Sequence, residues 1–112
     1  MQGKDDHAAD QMIKEALILE EAGADLMVVE CVPSSLGDDL SAALNIPVIG
    51  IGAGPGTDGQ VLVLQDMLGI SQRLPKFSKD FLKESNSIQD AITAFGIEVR
   101  SGTFPAPEHS FK

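Results

Sequence analysis

The sequence predicts an α/β fold. Two short apolar runs, Leu26-Met27-Val28-Val29 and Ile46-Pro47-Val48-Ile49-Gly50-Ile51, show no polar alternation, which indicates strands covered on both faces. Segments with helical periodicity precede and separate them, and Gly, Pro and Asn punctuate the boundaries.

The first helix is expected from His7 to Ala22, with Ala9, Met12, Ile13, Ala16, Leu17 and Glu20 on one mainly apolar stripe. Gly23 stands where a left-handed residue commonly ends a helix, and the first strand follows it. Beyond Pro33, Ser34 or Ser35 can cap a helix reaching about Leu44, where Asn45 is the expected left-handed stop. Pro47 is tolerated at the start of the second strand, before the ladder needs its hydrogen bond. Strand, helix and strand make a parallel unit, right-handed by the usual rule. A third strand is expected at Val61-Leu62-Val63-Leu64 and irregular chain from Ser71 to Lys79. Helix follows over Asp80 to Val99, broken at Glu84-Ser85-Asn86-Ser87 and recapped by Ser87, with Ile88, Ala91, Ile92, Phe95 and Val99 on one stripe. The tail from Ser101 to Lys112 has no periodic pattern and is expected to lie across a surface.

Length and composition narrow the function classes. The chain has 112 residues, enough for one small unit, with 43% hydrophobic and 22% charged residues and no apolar run able to span a bilayer. Eight Lys and Arg against 17 Asp and Glu give a formal net charge of -9, which repels polyanions and argues against nucleic acid as a partner. The single cysteine and the lack of a basic-then-apolar amino terminus point to a reducing cytoplasm. Three parallel strands make a poor free-standing sheet, so the chain reads as part of a larger assembly.

Glu30 is the leading candidate for chemistry. It ends an apolar strand at its carboxyl end, where parallel α/β folds place their reacting groups. On spacing alone an ion pair or a cap for the next helix serves equally well, but burial among Val and Cys would raise its proton affinity and suit it as a general base. Cys31, its neighbour, would face the opposite side of the strand and pack as a small hydrophobe.

The other candidates are weaker. Residues 50–59 hold five glycines but miss the dinucleotide fingerprint, since Pro55 or Thr57 falls where its last glycine belongs. This loop either offers backbone N–H groups to an anion or is structural. Asp58 and Asp66 read as turn and cap residues, His7 and His109 as solvent-facing, and Lys76 as a solvated lysine.

LMVVECVP (Leu26 to Pro33), IPVIGIGAG (Ile46 to Gly54), DGQVLVLQDMLG (Asp58 to Gly69), Pro75-Lys76-Phe77 and EHSF (Glu108 to Phe111) together resemble the carboxyl-terminal part of ketopantoate hydroxymethyltransferase. Gln2-Gly3-Lys4 resembles a piece of the loop before it. The resemblance implies that residues 1–112 are the last three strands and helices of a (β/α)8 TIM barrel. It implies transfer of a one-carbon unit from 5,10-methylenetetrahydrofolate to 3-methyl-2-oxobutanoate, giving the precursor of pantothenate and coenzyme A. Glu30 matches the base of the family's ECVP motif. Mg2+ is implied as cofactor, with its ligands and the keto acid's Ser and Lys contacts on strands that nothing in this chain matches. A homo-oligomer is implied, and a complementing amino-terminal segment would restore the site. The other reading is a noncatalytic relic or assembly module that associates through apolar edges.

Overall fold

The computed structural model describes residues 1–112. Helix α1 spans Asp6–Glu21, and the Asp5 carboxylate at its start accepts the Ala8 N–H at 2.8 Å, satisfying one of the amides that a helix start leaves unpaired. Only part of the expected stripe is the buried face. Ala16 is buried with Ala9, Met12 and Ile13 packed nearby, whereas Leu17 is 41% exposed, because α1 rests on its neighbours along a narrow line. Gly23 adopts a φ of 112° just beyond the helix.

Strand β1 (Met27–Glu30) pairs in parallel with β2 (Val48–Ile51), from Met27 against Val48 to Glu30 against Ile51. Helix α2 (Ser34–Ala43) connects them. The Pro47 carbonyl, just before β2, accepts the Met27 N–H at 2.9 Å, so the proline still gives its acceptor to the ladder. Strand β3 is Gly59–Gln60, parallel to β2, and the sheet order is β1-β2-β3.

One cluster, with Ala16, Val29, Val32, Leu36, Leu40, Leu44, Val48 and Ala53, joins α1 and α2 to a single face of the sheet. The expectation of strands covered on both faces therefore fails for β1: Leu26 before it and Val28 within it are 51% and 57% exposed. Both helices lie on the other side.

Several boundaries differ from the expectation. Val61 keeps one ladder bond, to the Gly50 carbonyl at 3.0 Å, but β2 stops at Ile51, and the residues expected as a third strand run into the short helix α3 (Leu64–Met67). Neither Ser34 nor Ser35 caps α2. Pro33 holds the cap position, and Ser34 Oγ instead donates to the Phe111 carbonyl at 3.1 Å. Asn45 is not left-handed, because the Glu20 carboxylate from α1 accepts the N–H groups of Asn45 and Ile46 at 2.6 and 3.1 Å.

Residues 80–87 form turns rather than helix, since Asp80 Oδ1 takes the N–H groups of Leu82 and Lys83 into a local side-chain turn. Helix α4 runs Ile88–Ser101, capped by Ser87 Oγ accepting the Asp90 N–H at 3.0 Å. Ala91 is buried, with Phe95 and Val99 beside it, in a second cluster with Met67, Leu68, Phe81 and Phe104, while Ile88 and Ile92 face out. The tail is integral to the fold. Phe104 is 2% exposed, Pro107–His109 form a 3-10 turn, and Phe111 bridges in parallel to Pro33. No helix is long and apolar enough to cross a membrane.

Two substitutions test this packing. A Cβ on Gly37, inside α2, would run into the backbone oxygen of Ala53, so Gly37→Ala should lower stability by about 2 kcal/mol through overpacking, read as a lower urea midpoint. Glu20→Ala strands the Asn45 and Ile46 amides and should cost about 1–2 kcal/mol in the same assay, whereas Glu20→Gln, which keeps an acceptor, should cost less.

Candidate active site around Glu30

Residues alternate across a strand, and Val29 lies in the helix-side cluster, so Val28 and Glu30 belong to the opposite face. That face has no helix over β1, and Glu30 is exposed there. This corrects the expectation of a carboxylate buried among Val and Cys: the desolvation argued from sequence needs a covering layer that these residues do not supply. The position at the strand's carboxyl end holds.

The opposite-face argument for Cys31 fails for a different reason. Cys31 has a φ of 54°, the one non-glycine residue of the chain with positive φ, and so leaves the strand's alternation. The ladder continues across it regardless, with Cys31 N–H donating to the Ile51 carbonyl at 2.9 Å and Val32 N–H to that of Gly52 at 3.1 Å. Its own carbonyl accepts the Gln2 N–H at 2.8 Å. Burial, then the negative charge of Glu30, push the thiol pKa up, against a smaller downward pull from the amino-terminal ammonium. A thiol held protonated is a poor nucleophile, which fits the inert reading of Cys31.

The glycine loop at the carboxyl end of β2 serves chain packing. Gly52 (φ 69°) lies against the Phe77 ring and Gly54 (φ 79°) against Ser34, and any Cβ at either would clash. Gln60 Nε2 donates to the Gly54 carbonyl at 2.9 Å and to Thr57 Oγ1 at 3.1 Å, bracing the loop. The Ser34 N–H at the start of α2, which an anion would need, already donates to the Phe111 carbonyl at 2.9 Å.

Asp58 and Asp66 have local partners: Asp58 Oδ2 accepts the Val48 N–H at 2.8 Å and Asp66 Oδ1 the Ser71 hydroxyl at 2.6 Å. No three His, Cys, Asp or Glu side chains stand close enough together to hold a metal ion. His7 is exposed as expected, but His109 is half-buried against Phe104, with ring centroids 5.0 Å apart. Lys76 is not merely solvated, since its ammonium stands 5.0 Å over the Phe111 ring.

The largest cavity, about 450 Å³, lies between the tail and the glycine loop, lined by Ser34, Pro55, Thr103, Pro105 and Phe111 among others. None of the cavities includes Glu30, which stands on an open sheet face. The Phe111–Ser34 and Phe77–Gly52 contacts at this end of the sheet join residues far apart in sequence, and no local pattern signals them.

Comparison with known proteins identifies the family. A family model described as ketopantoate hydroxymethyltransferase matches residues 1–107. The 3-methyl-2-oxobutanoate hydroxymethyltransferase of Idiomarina loihiensis is 55% identical over 113 aligned positions, covering 100% of this chain and 42% of that protein. Proteins of the same name from Aliivibrio fischeri and Marinobacter nauticus are 53% and 55% identical, with 99% and 100% of this chain aligned. The chain thus spans about two fifths of the length of these curated relatives. A match over nearly every residue establishes that the chain belongs to the ketopantoate hydroxymethyltransferase family.

Proposed function

We propose that residues 1–112 supply the carboxyl-terminal part of a ketopantoate hydroxymethyltransferase barrel, with Glu30 as its general base. The reaction would move a hydroxymethyl group from 5,10-methylenetetrahydrofolate to 3-methyl-2-oxobutanoate, yielding 2-dehydropantoate for pantothenate synthesis, in a cytoplasmic homo-oligomer. The observation that carries this reading is the position of Glu30: an exposed carboxylate at the carboxyl end of a parallel strand, on the sheet face free of α1 and α2. In a closed (β/α)8 barrel that face lines the interior, and the strands' carboxyl ends carry the chemistry.

The proton on carbon 3 of the keto acid is acidic because the neighbouring carbonyl can take up the electron pair. A carboxylate oxygen of Glu30 accepts that proton, and the resulting enolate carbon bonds to the folate-borne methylene as one of its carbon–nitrogen bonds breaks, the electron pair staying on the nitrogen. Water then replaces the second carbon–nitrogen bond, supplying the hydroxyl, and the two folate nitrogens end protonated as tetrahydrofolate. Enclosure by the remaining strands would supply the desolvation that a base needs and that the open face lacks here. The resemblance implies Mg2+ as well, but this chain's side chains do not group to hold one. Leu26 and Val28, half exposed next to the unpaired edge of β1, support pairing with an amino-terminal segment that completes the sheet. The same apolar edge supports the noncatalytic assembly reading, which differs in requiring no turnover from any reconstituted form.

In the full-length or reconstituted enzyme, Glu30→Gln should slow exchange of the keto acid's 3-hydrogen with solvent by at least about 100-fold, measured by proton NMR. Unchanged exchange would remove Glu30 from the role of base. The 112-residue chain alone should show neither hydroxymethyl transfer nor Mg2+-dependent keto acid binding by calorimetry, and turnover by the isolated chain would refute a site shared with other residues.

A further inference from the structure

We propose that the tail from Phe104 to Phe111 is a pH-sensitive latch: neutral His109 holds Phe111 against the start of α2, and protonation of His109 releases it. The inference does not depend on the proposed reaction.

The tail turn is closed around the imidazole. His109 Nδ1 accepts the Ala106 N–H at 3.1 Å, so its proton belongs on Nε2. The His109 N–H donates back to the Ala106 carbonyl at 2.9 Å, and Ser110 Oγ donates to that same carbonyl at 3.0 Å. The ring lies against Phe104, itself part of the second core cluster, so the turn is seated on a fixed base. Directly after the turn, the Phe111 carbonyl accepts both the N–H and the Oγ of Ser34 at 2.9 and 3.1 Å, and Phe111 bridges Pro33.

An imidazolium carries hydrogens on both ring nitrogens. Nδ1 then presents a hydrogen to the Ala106 N–H, and the acceptor that closes the turn is lost. The charged groups acting on the ring are Glu108 from the turn, Glu98 from α4 and Lys79 from the preceding turn segment. Both glutamates favour the cation and Lys79 opposes it, but Lys79 Nζ is 2.9 Å from Glu98 Oε1, so this pair largely cancels. Burial is the largest influence and holds the His109 pKa below its ordinary value of 6.5. A depressed histidine pKa means that the folded state prefers the neutral ring. The latch is therefore fully closed above pH 6.5 and opens as the pH falls from there through the lower folded-state value.

NMR titration of the 112-residue chain, following the His109 ring and the exchange protection of the Ser34 amide corrected for intrinsic rates, tests the proposal. His109 should titrate below its ordinary value, and Ser34 protection should fall about five-fold between pH 6.5 and the His109 midpoint, as for the loss of one hydrogen bond. His109→Asn places an untitratable oxygen where Nδ1 stands and should leave protection flat over that range. Constant Ser34 protection from pH 6.5 down through the His109 midpoint, a titration at or above the ordinary value, or an unchanged fall in His109→Asn would each overturn the latch. If the variant does not fold, the wild-type titration decides alone.

Discussion

The parallel register between β1 and β2 is the constraint on which the rest of the structure depends. With Met27 against Val48 and Val29 against Gly50, the apolar residues of both strands that face α1 and α2 come into line. A slip by one residue would turn Val29 out of the core and carry Glu30 under the helices, exchanging the two faces at a stroke. The ladder is only four pairs long, so it is the helices that hold it in place. Val48 is completely buried beneath Leu40 and Leu44, and the close seat of Gly37 on Ala53 leaves α2 little freedom to slide.

Around that register the chain builds two cores of different character. The first is aliphatic and serves the sheet. The second contains the phenylalanines Phe81, Phe95 and Phe104 in edge-to-face contact, with centroids 5.3 to 6.1 Å apart, an arrangement favoured by the quadrupoles of the rings. The glycine loop, with Phe77 seated on Gly52 and Ser34 on Gly54, is where later segments of the chain approach the sheet. Its glycines are thus explained by the thickness of what crosses them.

The legible part of the fold was the part encoded by neighbours in sequence. The period of α1, the stop at Gly23, the apolar runs of β1 and β2 and the Ser87 cap each depend on residues within a turn or two, and each was readable. Where a distant group intervened, local rules misled. Glu20 took the amides that made Asn45 look like a left-handed stop, and Phe111 took the Ser34 hydroxyl that looked like a cap. The strand at Val61–Leu64 failed because apolar residues need a partner ladder as well as the right composition. For the site, the place of Glu30 at a strand end was legible, whereas its exposure was not, since burial depends on which layers cover the sheet. The turn at Cys31 had no signature, because left-handed backbone is ordinarily announced by glycine or asparagine.

That turn has a wider consequence. Gln2 bonds to the carbonyl of Cys31, and Phe111 bonds to Ser34 and bridges Pro33, so segments that lie before and after the sheet in sequence converge on the four residues after Glu30. The carboxylate therefore stands at a junction gripped from both directions. A disturbance of either segment would be transmitted to it through one or two hydrogen bonds rather than through the body of the protein.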